Sequence, residues 1–201
     1  VRPDNQWLAG TEDTQGRRSN PLRIKNLVTS EVLPDEIGGV LEEMAWAADS
    51  RTVFYILQDP QTLQSGPVYR HVRGTDPKVA VRVFEEPDKT LFTSVGHTAS
   101  REFIAIWVTG FTTTELRTVP MATPTEPPTV AMPRRPDIRS YADHLHGRWV
   151  IRTNDGARNF RLMQAREGEL AEPRRWTELE PGRAEATIEA FALFDTALVV
   201  Q

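Results

Sequence analysis

The sequence has no cysteine among its 201 residues, so neither a disulfide framework nor a thiolate metal site can form. No run approaches the roughly 18 apolar residues of a membrane-spanning helix, so a membrane partner is not expected. Positive charge is not in excess: 24 Lys and Arg stand against 28 Asp and Glu, a net charge of −4. Phosphate backbones require a concentrated basic surface, so no nucleic-acid partner is expected either. The pattern G-x-S-x-G is missing, as is any glycine-rich phosphate loop; Ser65-Gly66 and Ser94-x-Gly96 are too slight to replace them. VRPDNQW at the start is not a signal peptide, and the lack of cysteine suits a cytoplasmic setting. A chain that begins with Val inside a strand signal reads as trimmed or incomplete.

What is present is a repeated strand pattern. From Glu42 to Pro87 four short strands are predicted. Met44, Trp46 and Ala48 share one side of an alternating run that stops at Asp49-Ser50. Val53–Leu57 is continuously apolar and ends at Asp59-Pro60; Val68–Val72 and Val79–Phe84 alternate again. Four strands in roughly 45 residues make a sheet too small to hide its own faces. The unit recurs: Ser50-Arg51, Ser100-Arg101, Gly147-Arg148 and Asp195-Thr196 each precede an apolar run, VFYIL, FIAIW, WVI and ALVV, and Asp4-Asn5 before Trp7 extends the series backwards. A period of roughly 45 to 50 residues is that of four-stranded propeller blades. The expected fold is therefore all-β, a partial β-propeller of about three complete four-stranded antiparallel blades with a partial blade at each end. The divisions are a partial blade 1–40, blades 41–88, 89–136 and 137–182, and a partial blade 183–201.

Within this frame Gln6–Thr11 and Pro21–Leu27 are strands, with Leu22, Ile24 and Leu27 turned to the core and a turn at Gly16–Asn20. Arg17-Arg18 in that turn reads as solvated rather than as an anion site. A short strand at Glu31–Leu33 completes the first partial blade. Phe92, Ser94 and Gly96 share one side of an inner strand; Phe103–Val108 and Thr114–Val119 follow. The proline-rich stretch from Pro120 to Pro136 resembles a linker on composition, but Thr129–Met132 inside it fits an outer edge strand, where proline is tolerated. Ser140–His144, Arg148–Thr153, Phe160–Gln164 and Trp176–Leu179 form the last blade, with Asn154-Asp155-Gly156 the strongest turn signal. Glu185–Leu193 has helical propensity, but the repeat places a strand before ALVV.

These stretches carry a family resemblance. MAWAAD at Met44–Asp49, Phe54-Tyr55, YRHVRGTD at Tyr69–Asp76, FEEPD at Phe84–Asp88, TTTELR at Thr112–Arg117 and RTNDGARNF at Arg152–Phe160 resemble the propeller domain of the prolyl oligopeptidase family. Within it the nearest likeness is the oligopeptidase B branch, which cleaves short peptides after Arg or Lys. The resemblance implies a propeller covering a serine peptidase of α/β-hydrolase fold, with the Ser-Asp-His machinery and the basic-residue selectivity in that missing domain. This chain would be the lid and filter for short basic peptides, with no catalysis of its own. The loops between second and third strands share a face with the blade-to-blade connections, and by resemblance that face meets the peptidase domain. It should include Leu41, Glu42, Asp59, Thr93 and Thr112 of the Thr109–Thr114 loop.

Other constellations are weaker. Asp143-His144-Leu145-His146 puts two imidazoles on one side of a strand, a zinc signal without a third ligand at motif spacing. Glu85-Glu86 with Asp88 could be hydrolytic carboxylates, but adjacent strand residues point to opposite faces. His71 and His97 lack a nucleophilic serine. Most of the five tryptophans read as core, Trp107 being the best candidate for a ligand stack. No catalytic residue, metal or cofactor is expected. Acidic side chains (Glu12, Asp13, Asp35, Glu36, Glu42, Asp59, Glu86, Asp88, Asp137, Asp155) are assigned to the peptidase-facing side and Arg51, Arg73, Lys78, Arg101, Arg148 and Arg166 to the opposite one. Arg17, Arg18, Arg134, Arg135 and Arg158 break the sorting. A non-enzymatic β-propeller module binding a protein or peptide is the alternative function.

Overall fold

A computed structural model of the chain describes residues 6–12 and 20–201. β1 (Trp7–Thr11), β2 (Asn20–Asn26), β3 (Ile37–Trp46), β4 (Thr52–Gln58), β5 (Ser65–Val72) and β6 (Val81–Phe84) form a six-stranded antiparallel sheet in chain order. A second sheet contains β7 (Phe92–His97), β8 (Phe103–Thr109), β9 (Thr114–Pro120) and, at its edge, β10 (Thr129–Met132). The third is β11 (Ser140–Leu145), β12 (Arg148–Thr153), β13 (Arg161–Arg166) and β14 (Thr177–Glu180); β15 (Phe191–Phe194) and β16 (Ala197–Val200) pair as a hairpin. The chain is all-β, and no helix among the described residues is long and apolar enough to cross a membrane.

The sheets stack face to face, and the strand sequences show why. In β4, Val53 and Tyr55 point to one layer with Trp7, Leu22, Ile24 and Trp46, while Phe54 and Ile56 point to the other. That second layer is shared with Val95, Ile104, Ile106 and Val119 of the second sheet. On β8 the alternation repeats: Ala105, with Phe103 and Trp107, turns away to meet Trp149, Ile151 and Met163 of the third sheet. Strands buried on both faces read as continuous apolar runs rather than as alternation, which accounts for VFYIL and FIAIW.

The turns ahead of those runs share a local cause. Ser50 and Arg101 adopt positive φ (56° each), as do His146 (53°) and Gly147 (69°). At the first, Asp49 Oδ1 accepts the N–H groups of Arg51 and Thr52 at 2.9 and 2.8 Å. At the second, Ser100 Oγ accepts the N–H of Glu102 at 3.2 Å. A short polar side chain that bonds its own backbone is what makes such turns recur.

Several expectations are corrected. Leu27 is 43% exposed, because β2 ends at Asn26, whose Oδ1 caps the following turn. Glu31–Leu33 forms no strand; only the bridge Lys25–Val32 remains of it. Met44 packs on the same layer as Trp46, with Ala45 and Ala47 in the opposite one, but Ala48 lies beyond the end of β3 and is exposed rather than on that side. β3 pairs with β2 through Ile37–Val40 and, across a register break between Val40 and Met44, with β4, so strand pairing runs on through the division expected at positions 40 and 41. Two expectations hold: Thr129–Met132 is the edge strand, and β15 is the strand that the repeat places before ALVV. Of the turn expected at Gly16–Asn20, Asn20 instead opens β2; its other residues, Arg17 and Arg18 among them, and Asp13 and Asp4-Asn5 lie outside the described residues.

Phe54 is fully buried between two sheets, whereas Val130 on the edge strand is 42% exposed. Phe54→Ala is expected to cost about 3–5 kcal/mol and Val130→Ala no more than about 0.5 kcal/mol, read from urea unfolding midpoints.

Candidate functional site

Cross-sheet hydrogen bonds sort the loops into two ends. At one end the Thr93 N–H donates to Ser65 Oγ (2.7 Å), Thr113 Oγ1 donates to the Arg135 carbonyl (3.0 Å), and Thr114 Oγ1 and the Ser140 backbone bond reciprocally at 2.7 and 2.8 Å. This end gathers loops 59–64, 85–91, 110–113, 133–139 and 154–160. At the other, the Ala48 N–H reaches the Met121 carbonyl (3.0 Å), and Ser100 N–H the His144 carbonyl (2.8 Å).

The residues predicted for the substrate side fall as follows. Leu41 is half-buried and packs on the layer between the first two sheets. Glu42 is exposed, in a bulge where Val40–Met44 of β3 face Leu57–Tyr55 of β4. Its neighbour Glu43, which the sequence reading passed over, accepts the Val95 N–H through Oε2 at 3.2 Å and so ties β3 to β7. Thr93 is buried at 5% exposure. Asp59 opens its loop by accepting the N–H groups of Gln61 and Thr62 at 2.9 Å, and those bonds hold its carboxyl below the usual range. Thr112 is exposed beside Phe111, itself 90% exposed. Gly110 lets this loop close on Leu91, since a Cβ there would come within 2.6 Å of Leu91 Cδ2. Asp59, Thr93 and Thr112 share one end of the stack; Thr93 is directly bonded to the strand that follows the Asp59 loop, and Thr112 stands on a separate one.

The charge of that end is largely paired. Arg134 donates to Glu86 and, at 3.0 Å, to Glu115, which also takes Arg117 at 2.8 Å. Burial opposes ionisation of Glu115, but the two guanidiniums outweigh it and hold the carboxyl below its usual range. Hydrogen bonding to Glu86 leads the causes that push the Arg134 guanidinium up. Arg135 takes Asp155 at 2.8 Å; the Arg23–Glu36 pair, at 2.9 Å, is not among the loops gathered at that end. Asp35 departs most from the expected sorting: it is 2% exposed, with Oδ2 3.0 Å from His71 Nε2 and accepting the Gly74 N–H at 2.7 Å. Asp35 is a core residue and adds nothing to a surface field. Glu12, Glu42, Asp88 and Asp137 remain exposed. The Thr90 hydroxyl and N–H lower the Asp88 carboxyl.

The other constellations resolve plainly. His144 is fully buried and His146 exposed at the turn, so the two imidazoles do not converge. Glu85 pairs with Arg82 and Lys89 while Glu86 turns to Arg134. Trp7, Trp46, Trp149 and Trp176 are buried; Trp107 is half-buried, tilted on Tyr141 at 5.9 Å. The Ser100–His144 contact (Oγ to Nδ1, 2.9 Å) has a serine and an imidazole together, but that hydroxyl also holds the Glu102 N–H and Thr98 Oγ1, as a turn-former does.

Antiparallel sheets stacked in series, bonded at both ends and apolar between, define a β-propeller segment. The family model for the prolyl oligopeptidase N-terminal β-propeller domain matches residues 1–201, and the chain belongs to that family. It is 40% identical over its whole length to dipeptidyl aminopeptidase BI of Pseudoxanthomonas mexicana, covering 28% of that protein. Over 84% of its length it is 28% identical to protease 2 of Moraxella lacunata, covering 24% of it. The chain thus spans about a quarter of the length of these relatives. Among solved structures it is similar in fold to oligopeptidase B of Leishmania major, with TM-score 0.90 and 23% identity over 98% of this chain and 28% of that one.

Replacing Arg134 by Met leaves Glu86 without its guanidinium and Glu115 with Arg117 alone, and both carboxylates are under a tenth exposed. A loss of about 1–3 kcal/mol is expected. Because the folded Glu115 carboxyl is held low, its share of stability is present above the ordinary carboxylate range and lost as pH falls through it. Unfolding midpoints from pH 7 downward should decline less steeply in Arg134→Met than in the parent.

Proposed function

We propose that this chain is the lid and substrate filter of a serine peptidase that cleaves short peptides after Arg or Lys, the bond-breaking groups lying in an α/β-hydrolase domain outside it. The observation that carries this reading is the match of the entire chain to the propeller domain of a peptidase family. The preference for basic residues rests on the resemblance of stretches such as Met44–Asp49 and Tyr69–Asp76 to the oligopeptidase B branch. The loop end that holds Asp59, Thr93 and Thr112 faces the peptidase domain, and Leu41 and Glu42 border the cavity on the strand β3 side. The mechanism is steric and electrostatic: the stacked sheets exclude folded proteins, while exposed Glu42, Asp59 and Asp88 raise the local concentration of cationic peptides. Exposed charges are screened over about 8 Å at physiological ionic strength, so the steering weakens with salt. A free-standing binding module is not favoured, because the relatives that match along the chain are peptidases.

One observation favours a second reading of the cleavage mode. The 40% identical relative is named a dipeptidyl aminopeptidase, which points to removal of dipeptides from a free amino end. In the complete enzyme, matched peptides with free and blocked amino ends separate the two modes: hydrolysis of blocked Arg-amides supports the first, and strict need for a free amine the second.

Changing Glu42, Asp59 and Asp88 together to their amides in the complete enzyme is expected to lower kcat/KM for basic peptides relative to neutral ones at low salt. The gap should close as salt is added, and an unchanged ratio would end the steering idea. The 201-residue chain alone is expected to release no product from a fluorogenic Arg-amide. Turnover that co-purifies with it through removal of contaminating proteases is the contrary result.

A further inference from the structure

We propose that Glu102, His144 and Glu167 form a binding site for a divalent first-row transition ion, zinc being the fitting probe, that ties the second sheet to the third. One ligand atom from each residue lies within 4.8 Å of the other two. The independent observation is the imidazole. His144 is fully buried, its Nδ1 is engaged by Ser100 Oγ at 2.9 Å, and its Nε2 is shut away from solvent with no hydrogen-bond partner. A buried ring nitrogen left unpaired costs free energy unless something fills the role. A metal would do so, and the Ser100 contact is the outer bond that fixes the ring of a ligating histidine.

The surroundings favour the same conclusion. Phe103 packs edge-on to the imidazole at 5.1 Å and Trp149 lies tilted on it at 4.8 Å, so the ring cannot swing out to find another partner. Glu102 and Glu167 are exposed, and among the described residues neither carboxylate forms an ion pair or a side-chain hydrogen bond, although Arg101 and Arg166 are their chain neighbours. Ligand atoms about 2.0–2.2 Å from one zinc stand roughly 3.3 Å apart at tetrahedral angles. The glutamates therefore close by on the order of 1 Å, a movement their exposed side chains allow. One imidazole with two carboxylates suits zinc or manganese, whereas calcium and magnesium prefer oxygen alone. Glu102 follows the β7–β8 turn, while His144 sits on β11 and Glu167 just beyond β13. An ion here clamps two sheets at the end opposite the Asp59 loop, as a structural metal rather than a catalytic one.

The test titrates zinc, manganese and calcium into the metal-stripped full-length protein by calorimetry and follows thermal unfolding alongside. One zinc per chain and a rise in Tm are expected, with calcium giving neither. Glu102→Gln with Glu167→Gln, both at exposed positions, should leave the metal-free Tm unchanged, weaken zinc by at least about tenfold and abolish the zinc-induced rise. Ser100→Ala, which removes no ligand, should weaken zinc by about tenfold or more through the freed imidazole. No zinc binding, or binding and stabilisation that persist unchanged in the double glutamine variant, would overturn the proposal.

Discussion

Everything in this molecule depends on covering both faces of small sheets. A four-stranded sheet exposes two apolar surfaces and has no helix to lay over either, so each must be covered by the next sheet. Phe54 and Ile56 on one side of β4, and Val53 and Tyr55 on the other, belong to different layers only one strand thickness apart. At roughly 25 cal/mol per Å² of apolar surface, several fully buried large side chains per layer supply most of the cohesion between neighbours. Polar contacts are pushed to the sheet ends, where Ser65, Thr114 and Ser100 spend their hydroxyls on the adjoining sheet.

That division of labour explains which parts could be read in advance. Strand positions were legible because VFYIL and FIAIW are too apolar to be anything but doubly covered, and because Asp49 and Ser100 form turns with their own backbones. The edge position of Thr129–Met132 was legible from its prolines. Its opposite failed at Leu27, where an apolar residue in strand rhythm is turned out because the Asn26 side chain ends the strand first. Local sequence also could not show that β3 serves two neighbours, since pairing partners are set by the stack.

The candidate site was legible only in outline. Loop order placed Asp59 and Thr112 at one end of their sheets, a consequence of strand alternation alone. Which acids remain free was hidden, because partners lie far along the chain: Glu86 meets Arg134 48 residues on, and Asp35 meets His71 after 36. Adjacent Glu85 and Glu86 look alike in sequence and have opposite fates. Likewise, spacing paired His144 with His146, whereas its neighbours in space are Glu102 and Glu167 from two other turns.

β10 illustrates how the fold manages its own rim. It has four residues, a register break at its far end between Val130 and Met132, and prolines on both sides at Pro127-Pro128 and Pro133. A longer, regular strand in that place would offer a row of free amides and carbonyls to any extended chain passing by. The short, proline-flanked version cannot template a further strand. The same stretch that resembles a linker in composition therefore acts as a guard against self-association, keeping molecules apart at concentrations where bare sheet edges would aggregate.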